Sequence, residues 1–418
     1  MNQQTLIPHL FRTEYQKIVS VLTGLFGIDH IEVAEDIVSD TFLLASESWS
    51  IKGPPENPEA WLYVVAKNKT KDYLKRNAIF AKTILKEIAY TTTTFEELQI
   101  DLTKKNIKDS QLAMIFVVCH PCNSMEAQIG LALNLLCGFS PDEIATAFLT
   151  NKEVIYKRLQ RAKEALRLQN VKITTPTAEE IKSRISSVLM TLYLLFNEGY
   201  YSSNQDITLR KDLCFEAMRL TYMLIENKQT NKPATNALLS LMCFHSSRFN
   251  ARFNQIGEII LYQNQDTDLW DRELINKGEY FLNQAAQGNE ITKYHLEAGI
   301  AFWHSFKIET GEKWKNILLL YNQLLIIEYS PMAALNRTYA FAKVYGNKEA
   351  IIEAEKINLP NNHLYHSLLG ELYIEFDNIQ AIAHFQNAFS LSKSSADKII
   401  ISNKIMECEQ KINELNHL

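Results

Sequence analysis

The chain has 418 residues, 46% hydrophobic and 22% charged, which gives it enough apolar material for a real core and a length of two or three domains. Its 13 glycines and 10 prolines are few for this length, which excludes hairpin-rich β architectures and predicts an all-α protein of long helices joined by short loops. The net charge of −5 comes from 43 basic and 48 acidic side chains and excludes a generally basic coat for nucleic acid. Residues 1–175 carry 20 of each sign, so all the excess negative charge lies in 176–418. Any DNA contact must therefore come from local stripes in the first part.

Six cysteines in a chain of this length do not make a disulfide framework. Cys137, Cys214 and Cys243 sit in apolar helical stretches and read as buried thiols. The N-terminus carries no basic-then-apolar leader pattern. The uncharged runs Ser110–Met125 and Ala127–Pro141 are shorter than the ~18 apolar residues of a membrane span. A soluble cytoplasmic protein without a membrane partner is expected.

In chain order, residues 6–77 read as a compact helical unit, with apolar positions at Leu22, Leu25, Phe26, Val33, Ile37, Phe42 and Leu44. Gly53-Pro54-Pro55 stops a helix, and Asn57-Pro58 starts the next as N-cap and first helical residue. Residues 78–107, with Thr91 to Thr94, read as a linker. Residues 108–170 form a second helical unit. Residues 176–418 hold roughly ten further helical patterns. In that last segment Gly346-Asn347-Lys348-Glu349-Ala350-Ile351 is echoed by Asp377-Asn378-Ile379-Gln380-Ala381-Ile382. Leu369-Gly370-x-x-Tyr373 then precedes Ala381-x-x-x-Phe385-x-x-Ala388, a pattern similar to the tetratricopeptide repeat. An irregular helical bundle is the alternative.

No phosphate-binding glycine loop, nucleophile elbow or His-Glu-x-x-His motif is present, and nothing points to an enzyme or a cofactor. Cys119-His120-Pro121-Cys122 lacks a second ligand pair, so a packed helix start is favoured over a zinc site. Asp266, Asp268 and Asp271 lack the glycine turn and closing glutamate of a calcium loop. No catalytic or metal residue is expected.

Gly138 to Arg167 is the informative stretch. Ser140 is an N-cap, Pro141 takes the first helical position, and Glu143 completes a capping box. That helix ends near Phe148, and Asn151 caps a second helix in which Ile155, Leu159, Ala162 and Leu166 share one face. This is a helix-turn-helix pattern. Residues 151–168 carry a local charge of +4. Lys152, Glu153, Tyr156, Lys157, Arg158 and Arg161 are the candidate DNA-contacting residues there. The first of these would reach base edges and the later basic ones phosphates. A solvated amphipathic helix is the bland alternative.

The stretch Glu59 to Arg76 carries +3, gathered in its second half, beside a run Val33–Ser50 that carries −4 and no basic residue. The pair could be simple intramolecular complementarity, or could suit two partners of opposite charge.

These residues resemble an extracytoplasmic-function sigma factor of the bacterial sigma-70 family. The matching stretches are Ala34-Glu35-Asp36-Ile37-Val38-Ser39-Asp40-Thr41-Phe42, Trp61-Leu62-x-x-x-Ala66-x-Asn68, and the helix-turn-helix ending Arg158-Leu159-x-Arg161-Ala162. Leu195 to Tyr200, Trp270 to Ile275 and Tyr294 to His304 are similar to the tetratricopeptide-type extension of one subgroup. Read from the residues alone, those three motifs are core aromatics and buried polar anchors. The resemblance implies a promoter-specificity subunit with region 2 over 6–77 and region 4 over 108–170. Glu35, Asp36, Asp40 and Phe42 would dock on core RNA polymerase. Trp61, Lys67, Asn68, Lys71 and Arg76 would act at the −10 element of promoter DNA, and the helix from Asn151 at the −35 element. The extension would regulate the subunit or take a protein or peptide partner. Rival readings are a stand-alone helix-turn-helix regulator and a tetratricopeptide scaffold.

Overall fold

The computed structural model describes residues 3–77, 100–201, 207–252, 260, 262–392 and 395–416. Among these the protein is all α, with helices and short 3₁₀ turns and no strands. The described residues divide into two compact units, Met1–Asn231 and Lys232–Leu418.

The first unit opens with α1 (Gln3–Phe26), α2 (Ile31–Lys52) and α3 (Pro58–Arg76). Their shared core includes Ile18, Leu22, Phe26, Ile37, Phe42, Trp49, Leu62 and Leu74. Burying one such aliphatic or aromatic side chain contributes roughly 1.5–3 kcal/mol. Gly53 ends α2 at φ +76°, a conformation that glycine adopts without Cβ strain. The Asn57 side chain accepts from the Ala60 N–H at 3.0 Å, with Pro58 in the first turn of α3. Leu44, expected on the apolar face, is exposed instead.

The expected linker lies outside the described residues over 78–99. From Lys104 the chain is already helical. α4 (Lys104–Val118) is buried from Gln111 onward and α5 (Met125–Leu135) from Ala127 onward except at Asn134, and Ser124 caps α5. α6 (Pro141–Ala147) begins at a Ser140–Glu143 capping box with both reciprocal bonds present. After the turn Phe148–Asn151, α7 (Lys152–Leu168) starts with Asn151 accepting from the Val154 N–H at 2.9 Å. Ile155, Leu159, Ala162 and Leu166 are all at most 5% exposed, so the helical stripe is the packed face.

α8 (Ala178–Tyr200) and α9 (Ile207–Glu226) complete this unit. Thr191 on α8 donates to Gln128 at 2.8 Å, and Arg219 on α9 donates to the Leu136 carbonyl at 2.8 Å. Arg184 donates to the Phe116 carbonyl. The sequence reading starts the C-terminal extension at 176, but its first two helices are tied by these polar bonds to α4, to α5 and to the Leu136 C-cap of α5. All six cysteines are free thiols. Cys214 and Cys243 are buried as expected, whereas Cys137 is only half-buried.

The second unit runs through α10 (Pro233–Ser246), α11 (Phe249–Arg252), α12 (Arg272–Ala285), α13 (Lys293–Trp303), α14 (Gly311–Ile327), α15 (Pro331–Tyr345), α16 (Asn347–Ile357), α17 (His363–Tyr373), α18 (Asn378–Leu391) and α19 (Ser395–Asn416). From α12 onward each helix packs on its successor. Two glycines set close approaches. A Cβ at Gly278 would stand 2.7 Å from the Phe244 ring, and one at Gly370 2.6 Å from the Phe385 ring. The Gly370–Phe385 contact is the small-against-aromatic packing that the repeat pattern anticipates.

Candidate nucleic-acid interface

On α2 the period of 3.6 residues sends Ile37, Val38, Phe42 and Ala45 inward and leaves Asp36 and Asp40 exposed. Glu35 is half-buried. Burial raises its pKa above the usual carboxylate range, and the Lys163 ammonium pulls it back. Phe42 corrects the sequence reading: it is 5% exposed, edge-on to Phe11 at 5.2 Å, and belongs to the core rather than to a partner-facing surface. Of the proposed docking residues, the structure puts the two aspartates on the outside.

α3 presents Asn68 and Arg76 to solvent and holds Lys67 and Lys71 half-exposed. Trp61 is not splayed outward. It is half-buried and stands edge-on to Trp49, with ring centroids 5.3 Å apart. Lys69, which the sequence reading passed over, bridges back to Asp40 at 3.5 Å. The acidic and basic runs are thus partly complementary to each other.

On α7, Lys152, Glu153, Tyr156, Lys157 and Arg161 are exposed and Arg158 is half-buried. Val154, also exposed at 42%, joins that N-terminal face. Lys152 pairs with Asp142 of α6 at 2.7 Å, which ties the start of α7 to the helix before it. Lys157, Arg158 and Arg161 line a shallow cleft of about 410 Å³, together with Asn123, Ser124, Ala127, Val154 and Ala162. The lining includes the N-terminus of α5, where the Ser124 side chain accepts from the Ala127 N–H and the positive dipole end adds to the three side-chain charges. The geometry is suited to a phosphate backbone.

Two of the six basic residues of this stretch face elsewhere. The Arg167 guanidinium donates to both carboxylate oxygens of Glu32, at 2.7 and 2.6 Å, and Lys163 pairs with Glu35 at 3.5 Å. The Tyr15 hydroxyl donates to the Glu35 carbonyl at 3.0 Å, and Gln16 on α1 donates to the Asn134 carbonyl at 3.0 Å. The local +4 therefore overstates what α7 offers to an outside anion. Lys163 and Arg167 flank the apolar stripe, but partners 128 and 135 residues away leave no local signal.

The remaining motifs are placed as follows. Cys119 is buried, and the turn from Cys119 to Asn123 links α4 to α5. No group of metal-ligating residues occurs among the described residues. Asp271 N-caps α12, and Asp266 accepts from the Asp268 N–H. In the second unit, Trp270, Arg248, His304 and Lys313 surround the Tyr262 ring. Burial, together with the Arg248 and Lys313 charges, lowers His304 to about 3. The residues of the last two motifs are structural neighbours here. Among the described residues no helix is long and apolar enough to cross a membrane.

Residues 10–79 match sigma-70 region 2, and residues 184–286 match a family of unknown function (DUF6596). An uncharacterized protein of Rhizobium meliloti (strain 1021) is 30% identical over 378 residues, which cover 89% of each chain. No solved structure matches the chain. The first match spans α1 to α3, and the second begins on α8 and reaches the end of α12. The chain belongs to the same family as that relative, and the region 2 match over its first three helices supports a sigma factor of the sigma-70 family.

Proposed function

We propose that this protein is a promoter-specificity subunit that binds core RNA polymerase and directs it to −10 and −35 elements. The observation that carries the reading is the region 2 match on a unit whose α2 exposes Asp36 and Asp40. In this reading those carboxylates dock on a basic surface of the polymerase. Lys67, Asn68, Lys71 and Arg76 of α3 face the −10 element. α6 and α7 act as a helix-turn-helix at the −35 element, with Lys152, Glu153, Val154 and Tyr156 nearest the base edges. Lys157, Arg158 and Arg161 meet the phosphates at the α5 N-terminus. Nucleotide chemistry belongs to the polymerase, so the chain needs no catalytic residue of its own. The helix pairs of the second unit form a tetratricopeptide-like module that regulates the first unit or carries a protein or peptide partner.

The docking claim is tested on the full chain with Asp36→Lys and Asp40→Lys combined. Both carboxylates are exposed, and surface pairs such as Asp40–Lys69 contribute at most about 1 kcal/mol. The melting temperature should therefore hold while co-elution with core polymerase is lost. A folded double variant that still binds core like the parent contradicts the assignment.

A further inference from the structure

The Cys119-His120-Pro121-Cys122 motif is not used by any of the contacts above, yet His120 lines a second cleft. This cleft, of about 350 Å³, is bounded by Phe116, Val117, His120, the connection Gln169–Lys172, Glu180 and Arg184. It lies where α7 hands over to α8, and Arg184 is also the first residue of the DUF6596 match. We propose that this cleft is a binding site for a small oxyanion-bearing molecule, a carboxylate or a phosphate, held by Arg184, His120 and Lys172.

Four observations carry the assignment. The Arg184 guanidinium lies over the Phe116 ring at 5.7 Å and spends one nitrogen on the Phe116 carbonyl. Its Nε is buried and has no hydrogen-bond partner, and Arg184 forms no ion pair among the described residues. Arg184 as a whole is half-buried and lines the cleft, so the rest of its guanidinium, rather than the sealed Nε, is the part offered to an anion there. The Cys122 N–H donates to His120 Nδ1 at 3.2 Å, so the ring proton sits on Nε2 and makes that atom a donor. Burial, then the Arg184 charge, keeps His120 neutral near pH 7 by lowering its pKa.

The third observation is the local field. Burial raises the thiols of Cys119 and Cys122 and the Arg184 charge opposes that rise, while burial and then Arg184 lower His120, so the positive charge reaches all three neighbours. The carboxylate on the cleft, Glu180, makes no ion pair with Arg184, and its pKa is lowered first by its bonds to Thr177 and then by the Arg184 charge. Its Oε2 accepts from the Thr177 N–H at 2.7 Å and the Thr177 hydroxyl at 3.0 Å, which closes the α8 capping box. The fourth is Lys172, exposed at the rim and free to close over a second oxygen. A site of this volume is at the small end of metabolite pockets. Because its wall includes Gln169 to Lys172, a bound anion ties the end of α7 to α8.

The test is calorimetric titration of the full chain, in chloride buffer, with inorganic phosphate and separately with citrate. One of the two probes should give saturable one-to-one binding, and the arm that does so separates phosphate from carboxylate chemistry. Arg184→Gln keeps an N–H for the Phe116 carbonyl, and it should weaken that binding about tenfold or more, as expected for a charge-assisted bond. Lys172→Ala, at an exposed position, should weaken it several-fold without changing the melting temperature. Lys398→Ala, in the second unit, should leave it unchanged. Absence of saturable binding for both probes overturns the proposal, and so does binding that Lys172→Ala and a folded Arg184→Gln leave intact. If Arg184→Gln fails to fold, the Lys172→Ala arm alone decides. No polymerase or DNA enters the assay, so its outcome is independent of the promoter reading.

Discussion

Asn57, Ser140, Asn151 and Thr177 each accept a backbone N–H at the start of a helix. Three of the four were legible because a short polar side chain before a periodic run has one favourable use. The same local logic placed Ile155, Leu159, Ala162 and Leu166 inside. It also put Phe42 among the apolar positions, where the structure has it buried; the partner-facing roles of Phe42 and Trp61 came from the resemblance, and an aromatic at the right spacing reads alike whether it fills a core or meets a partner. For Lys157 the cleft at the α5 N-terminus sharpens the expectation to a phosphate contact. Lys157→Ala should weaken holoenzyme binding to different promoters about equally and reduce the slope of log K against log salt by about one. Titrations at several salt concentrations check this. An altered sequence preference with an unchanged salt slope would contradict it.

At the scale of elements, the boundaries of α2, α3, α6 and α7 followed from glycine, proline and cap residues, whereas the pairing of α7 with α2 did not. Charge runs along one helix do not say which distant helix will answer them. Here Arg167 and Lys163 hold Glu32 and Glu35, beside the surface assigned to polymerase. An arrangement that uses this acidic face internally competes with any partner that needs it, by the difference in contact energy between the two states. Half-exposed pairs of this kind contribute about 0.2–1 kcal/mol each. Lys163→Glu with Arg167→Glu should therefore raise affinity for core polymerase, measured without DNA, by roughly two- to tenfold. Unchanged or lower affinity in the folded double variant would show that the contact does not compete with docking.

For the whole molecule, low glycine and proline content anticipated an all-α chain, and the small-against-aromatic pattern anticipated the approach of Gly370 to Phe385. The division between the two compact units was not legible. Residues 176–231 follow a plausible boundary at Thr174-Thr175-Pro176-Thr177, yet Thr191 and Arg219 anchor their helices to α5 and the Leu136 carbonyl. A cut at 175 would strip those bonds and leave Gln128 unpaired with Thr191, so experiments on the first unit need the full chain. The most direct measurement of the central claim is run-off transcription with core RNA polymerase on a pool of genomic fragments from the organism that encodes the protein. The account predicts discrete transcripts from a subset of fragments when the full-length protein is added, and their loss with Asp36→Lys and Asp40→Lys. Transcription indistinguishable from core polymerase alone, with a folded protein that binds neither polymerase nor fragments, would contradict it.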